Sequence, residues 1–347
     1  MRALIKYDSS AGAAEIREVP NPELETSDEI KIQVKLSGIC GTDIKVLHGL
    51  DKVYKPPVIM GHECAGVVTE VGEKVHAFKS GDFVAIEPTA HICGHCRYCR
   101  AGDYNLCIDR KIAGFNEPGS FAEYMVRNEH FVHKLPDTVS LEVGSVLEPI
   151  AVSVHAVLER STVRPGDIVL VTGPGAIGLL VLQVAKLSGS FVVVVGTQDD
   201  KDRLQIARSI GADTVIVLEK DEKKNIDKVY QGCGKREVDI AFECSGAEAA
   251  ANLCLDSLRK RGQYIQLGIF TRGITLDFDK MSYKELSLIG SISQKHSAWE
   301  KSIDLLKFGK ININPLISAV LPMTHWKQAF KSVEESKAIK VLLQPEL

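Results

Sequence analysis

The chain has 347 residues, 45% hydrophobic and 25% charged, with a formal net charge of -3. That length accommodates two domains with sizeable cores, whereas the acidic balance and the absence of any run of like charges offer no field to hold a nucleic-acid backbone. The first residues lack the long apolar core and cleavage site of a secretory signal, and no stretch is apolar for the length a bilayer demands, so a cytoplasmic protein is expected. Of the nine cysteines, four lie in one cluster and Cys40, Cys64, Cys233, Cys244 and Cys254 are scattered, which fits a reducing compartment.

In chain order, the first 150 residues alternate Gly, Pro and Asn breaks with short β-rich runs such as 29–36 and 65–71, the texture of a barrel-like, mostly antiparallel domain. Within it, Gly38-Ile-Cys40-Gly-Thr42-Asp43 and Gly61-His62-Glu63 each put a metal-capable side chain beside a glycine. Alone, either reads equally as structure, because a buried cysteine is usually a small hydrophobe and a lone histidine usually packs or caps. Cys93, Cys96, Cys99 and Cys107 leave two, two and seven residues between successive thiols. One loop of that spacing wraps a tetrahedral ion, and a closed four-thiolate site holds structure but has no open position for chemistry.

Near Val143 the texture changes to longer helical and strand runs, starting with 147–159, and a domain boundary is expected there. His155, Trp299 and Trp326 fall on apolar helical spacing and read as core. Residues 167–172 form an apolar strand, Gly173-Pro174-Gly175-Ala176-Ile177-Gly178 a turn, 179–187 an apolar helix, and 191–195 a second strand. This is a βαβ unit of a parallel sheet, continued by runs at 238–242, 263–267 and 286–289.

The glycine motif gains meaning from that strand-and-helix context. Gly173 permits the tight turn, Gly175 lets the backbone approach a pyrophosphate, and Gly178 lets the helix pack close, so the phosphates rest on the helix N-terminus. The second strand runs into Gly196-Thr197-Gln198-Asp199-Asp200-Lys201-Asp202-Arg203, without an acidic residue where the ribose 2′-hydroxyl is expected. Thr197, Lys201 or Arg203 would suit a 2′-phosphate, whereas Asp199 and Asp200 would repel it if turned inward; Lys201 and Asp202 read equally as a solvated helix start. NAD versus NADP stays open.

Five motifs in order, Gly-Ile-Cys40-Gly-Thr-Asp43, Gly61-His62-Glu63-Cys-Ala-Gly66, the cysteine loop, Leu147-Glu148-Pro149 and the glycine turn, resemble the zinc-dependent medium-chain alcohol and polyol dehydrogenases, on the sorbitol and threonine dehydrogenase branch. The resemblance covers nearly the whole chain. It implies an α/β protein with a GroES-like, β-rich catalytic domain over 1–152 and 295–347 and a Rossmann NAD(P)-binding domain over 153–294, with the active site in the cleft. It implies two zinc ions per chain. Cys40, His62 and Glu63 would ligate the catalytic one, with Glu148 as fourth ligand or as the holder of a zinc-bound water, and Cys93, Cys96, Cys99 and Cys107 the structural one.

Ethanol-oxidising members carry cysteine at the position of Glu148, so the glutamate points toward polyols. Carboxylate-rich ligation also tolerates manganese or cobalt. Zinc would lower the pKa of a bound alcohol that gives hydride to the nicotinamide. Thr42 would pass the alcohol proton outward, and Asp43 would orient a ligand imidazole or start a helix. Where relatives end this relay in histidine the chain has Lys45, so the relay ends at Lys45, at His48 or in water. Sorbitol dehydrogenases carry an Arg-Tyr pair where this chain reads Gly290-Ser-Ile-Ser-Gln294-Lys295-His296, which leaves the particular polyol open; Lys45, Lys295 or Arg110 would suit a substrate phosphate. The expected reaction is reversible oxidation of a secondary alcohol of a polyol, sugar alcohol or polyol phosphate to a ketone, by a homodimer or homotetramer. The alternatives are amino-alcohol oxidation of the L-threonine 3-dehydrogenase type and a non-enzymatic zinc- and nucleotide-binding interaction protein.

Overall fold

A computed structural model of the chain describes residues 1–50 and 53–345. They divide into two units: Met1–Glu148 with Lys295–Phe308 and Ile317–Leu347, and Pro149–Gln294 with Gly309–Leu316.

The first unit is built on a seven-stranded sheet. Its central strand, Glu29–Gly38, alternates half-buried and buried positions, the period-two pattern of a sheet with one face in the core. Ile30, Ile32 and Val34 point inward with Val68, Val84, Ile86, Met125 and Val132, each such side chain contributing about 1.5–3 kcal/mol on burial. Glu63–Val71 pairs antiparallel with one edge of that strand. On the other edge lies Lys340–Gln344, antiparallel to Glu29–Gly38 and parallel to Ile317–Pro322. Phe83–Ile86 and Val132–Lys134 extend the sheet beyond Glu63–Val71. A second core gathers Leu4, Ile39, Met60, Phe121, Trp326 and Phe330.

The second unit carries a six-stranded parallel sheet in the spatial order Thr214–Val217, Phe191–Gly196, Ile168–Thr172, Val238–Glu243, Leu258–Gln266, Ser287–Gly290. Every residue of Ile168–Thr172 is buried, as a strand covered by helices on both faces requires. The order reverses beside this strand, and such a switch point opens a crevice at the carboxyl ends of the strands. The Ala176–Leu187 helix starts three residues before its apolar run because Gly175 serves as its N-cap. The run at 147 is helical as read, but splits into an α-helix, Leu147–Val154, and a π-helical turn, His155–Glu159. His155 is buried there, its Nδ1 2.5 Å from Glu159 Oε2. Trp299 and Trp326 are core residues, 0% and 6% exposed.

Candidate active site

Cys40 is the N-cap of the Gly41–Leu47 helix, where the chain leaves the central strand. Asp43, three residues on and buried, accepts the Cys40 amide through Oδ2 at 2.8 Å, and its Oδ1 lies 3.3 Å from His62 Nδ1. One carboxylate thus accepts from the helix N-cap and faces the imidazole, two roles that the sequence offered as alternatives. Glu63 opens the strand paired with the central one, its Cα opposite Gly38, so its side chain follows that of His62 into the same place. Donor atoms of Cys40, His62 and Glu63 all lie within 4.8 Å of one another.

This trio fits a divalent transition metal. A thiolate, an imidazole and a carboxylate are ligands that zinc accepts. His62 Nδ1 is buried and faces the Asp43 carboxylate without full hydrogen-bond geometry. Burial pulls the imidazole toward neutrality, but the Asp43 carboxylate, with Cys40 adding to it, outweighs burial and holds its pKa well above the ordinary value. The negative charge of Asp43 and Cys40 gathered around this ring is what a bound cation would offset.

A lysine that no motif marked completes the surroundings. Lys340 Nζ, buried, donates to Glu63 Oε1 and Oε2 at 2.9 and 2.6 Å and to the Ile39 carbonyl at 3.0 Å. Burial alone would depress this ammonium, yet Glu63, Cys40 and Glu148 hold its pKa above the usual lysine value. Its sequence signal was a charge inside the apolar run Ile339-Lys340-Val-Leu-Leu343, since buried lysines need a partner. Glu148, in the first turn of Leu147–Val154, stands outside the close trio, though near enough for the charge of Glu63 to act on it. Burial first and Glu63 second push its carboxyl up to about 7.

Thr42 Oγ1 lies 3.5 Å from Cys40 Sγ. Lys45 follows one turn later on the same helix, half-buried. His48 Nε2 is 2.8 Å from Glu334 Oε1, so it is engaged in an ion-pair geometry. Of the candidate phosphate holders, Lys295 binds Asp103 at 2.9 Å, and the Arg110 guanidinium donates to Thr89 Oγ1 and the Asn105 carbonyl.

The cysteine loop brings the Sγ atoms of Cys93, Cys96, Cys99 and Cys107 within 4.8 Å of one another, with contacts of 3.5, 3.6 and 3.9 Å. Thiolates about 2.3 Å from one ion at tetrahedral angles lie about 3.8 Å apart. Backbone amides point at the sulfurs of Cys107, Cys93 and Cys96. The amide of Cys99, chiefly, holds the Cys96 thiol down to about 6.

In the second unit, Gly173 has φ of +85°, and a Cβ there would meet Ser245 Cβ at 2.7 Å. A Cβ on Gly175 would meet nothing within 4 Å. Pro174 and Gly175 thus lead into a helix whose N-terminus has no side-chain cap and whose first turn, Ala176-Ile177-Gly178, is open to an anion. This cradle fits a pyrophosphate. At the end of the next strand, Asp200 Oδ2 accepts from the Thr197 amide and hydroxyl at 2.9 and 2.8 Å, and Asp200 Oδ1 lies 3.6 Å from Arg203 Nη1. Thr197 and Arg203 therefore both lean on Asp200.

Residues 26–137 match the alcohol dehydrogenase GroES-like domain and residues 176–307 the zinc-binding dehydrogenase domain. The chain belongs to the zinc-binding alcohol dehydrogenase family. This dehydrogenase is 41% identical to a sorbitol dehydrogenase of Halalkalibacterium halodurans, with 99% of each chain covered. It is 40% identical to a D-arabitol-phosphate dehydrogenase of Enterococcus avium over 92% of this chain and 90% of that one. Among solved structures it resembles a zinc-binding dehydrogenase from Sinorhizobium meliloti bound to NADP, with a TM-score of 0.89, 28% identity and 99% of each chain covered. It is an NAD(P)-dependent oxidoreductase of CH–OH groups with zinc and a dinucleotide as cofactors, acting on a small molecule. The two-part α/β fold and the polyol dehydrogenase branch match the reading of the motifs. Among the described residues, no helix is long and apolar enough to cross a membrane.

Proposed function

We propose that this enzyme reversibly oxidises a secondary hydroxyl of a polyol or polyol phosphate to a ketone, at a metal held by Cys40, His62 and Glu63. The observation that carries the reading is the convergence of those three donors within 4.8 Å in a chain whose relatives are named for sorbitol and D-arabitol phosphate. A zinc ion held by these residues would supply Lewis acidity toward an alcohol, and a nicotinamide dinucleotide held by the glycine turn would supply the hydride acceptor.

The residues divide the remaining work. Asp43 fixes the ring of His62, and Lys340 fixes the carboxylate of Glu63, so the donors wait in place. Glu148 serves as a fourth ligand or holds a water beside the metal. Thr42 would relay the substrate proton outward past Lys45 and His48 to solvent water, His48 being paired with Glu334. The Gly173–Gly178 turn binds the pyrophosphate, with Thr197 and Arg203 at the adenosine ribose. Cys93, Cys96, Cys99 and Cys107 hold a structural zinc. The catalytic domain is placed at 1–152 and 295–347 and the nucleotide domain at 153–294, bounds from which the two compact units differ in assigning 149–152 and Gly309–Leu316 to the second. The nine cysteines form no disulfide, which supports a cytoplasmic setting, and a homodimer or homotetramer follows the family habit.

The test is a rate comparison on five- and six-carbon polyols, their phosphates and L-threonine with each dinucleotide, alongside Cys40→Ala. A secondary polyol or its phosphate is the best substrate, and Cys40→Ala loses both activity and about one zinc per chain. Preference for threonine, or a Cys40→Ala protein with full activity and metal, overturns the reading.

A further inference from the structure

A third group of donors lies in the first unit, away from both zinc-type motifs. Glu87 follows the Phe83–Ile86 strand, His133 lies on the neighbouring Val132–Lys134 strand, and His296 is the first residue of the His296–Lys307 helix. One carboxylate oxygen and one nitrogen from each ring all lie within 4.8 Å of one another. We infer that Glu87, His133 and His296 form a third divalent-metal site, of the zinc, cobalt or nickel class.

The donors already converge. Glu87 Oε1 and His133 Nε2 lie 2.8 Å apart as a hydrogen bond, and two donors about 2.1 Å from a tetrahedral ion stand about 3.4 Å apart, so an ion would replace that proton with a small opening of the pair. Two imidazoles and a carboxylate select a borderline transition metal over magnesium or calcium, which prefer oxygen alone. The deep half of the site is already oriented. Glu87, fully buried, accepts the Tyr104 hydroxyl at 2.8 and 2.9 Å through its two oxygens, and the His133 ring lies flat on Trp299 at 4.7 Å and 1°. Outer contacts of this sort fix ring orientation around metals. The outer half is open: His296 is half-exposed and its ring sits 5.3 Å from that of His133, so an ion can arrive from solvent and keep waters in its remaining positions.

Such an ion clamps the start of the helix to the edge of the sheet. Tyr104 belongs to the cysteine loop, and Lys295, beside His296, binds Asp103 of the same loop, so the clamp also stiffens the seat of the structural zinc.

The experiment equilibrates the purified enzyme with micromolar free Zn²⁺ and counts bound zinc per chain in wild type, His296→Ala, Glu87→Gln and His130→Ala. His296→Ala and Glu87→Gln each bind about one zinc fewer than wild type, while His130→Ala, a neighbour outside the donor set, matches wild type. Added zinc raises the melting temperature of wild type and of His130→Ala more than that of His296→Ala. Equal zinc counts in wild type and His296→Ala overturn the site. The difference between those two proteins does not depend on the metal at Cys40, so it stands or falls apart from the proposed reaction.

Discussion

Lys340 and Glu63 form a buried ion pair, Nζ to Oε2 at 2.6 Å, with side chains 3% and 1% exposed. Removing one partner of such a pair strands the other charge out of water, a loss of about 3–5 kcal/mol. Lys340→Met should therefore lower the melting temperature by on the order of 10 °C. Lys340→Met/Glu63→Gln, with both charges gone, should melt higher than Lys340→Met alone. A double variant no more stable than the single one contradicts the pairing.

Asp43 joins the cap of a helix to the ring of His62. Asp43→Asn keeps an oxygen for the Cys40 amide but loses the charge facing His62. Zinc affinity at the Cys40 site, read by competition with a chelator, should fall by about 10–100-fold, with little change in melting temperature. If the melting temperature falls while zinc affinity is unchanged, Asp43 serves the helix alone.

The two leading glycines of the dinucleotide turn should respond differently to alanine. Gly173→Ala adds a Cβ at positive φ and against Ser245, which costs about 1–3 kcal/mol of stability. Gly175→Ala meets no protein atom, so its stability should stay within about 0.5 kcal/mol of wild type. Its KM for the dinucleotide should rise about tenfold, equivalent to about 1.4 kcal/mol of binding. Melting curves and initial rates separate the two effects, and an unchanged KM for Gly175→Ala would remove the pyrophosphate from this turn.

Asp200 holds Thr197 and draws on Arg203. Asp200→Ala takes away a negative charge where a ribose 2′-phosphate would sit. The ratio of kcat/KM for NADP to that for NAD should increase about tenfold, roughly 1.4 kcal/mol of relief. A ratio that stays constant places the adenosine ribose elsewhere.

What could be read in advance was local. The cysteine loop is legible because its thiols lie within 15 residues of one another, and spacing alone fixes their geometry. The glycine turn is legible because strand, turn and helix are consecutive, and the period-two burial of Glu29–Gly38 is written into Ile30, Ile32 and Val34. Lys340 escaped notice because it meets Glu63 across 277 residues, a distance over which motif spacing says nothing. Glu87, His133 and His296 likewise share no motif, since sheet pairing joins the first two and the return of the chain brings in the third. The turn at His155–Glu159 departs from the plain α-helix by one residue per hydrogen-bonded ring, a change that apolar periodicity does not record.

The polypeptide passes between its two units four times, and the lysine that neutralises Glu63 arrives on the last of those passes. Synthesis runs from the amino end, so during translation Glu63 emerges long before its counter-charge exists, and the central sheet waits for the Lys340–Gln344 strand to fill its place. A nascent chain halted between Glu63 and that strand has the cysteine, histidine and glutamate of the trio but not the cation that holds the glutamate. The mature setting of the Glu63 carboxylate is thereby tied to the arrival of the Lys340–Gln344 strand.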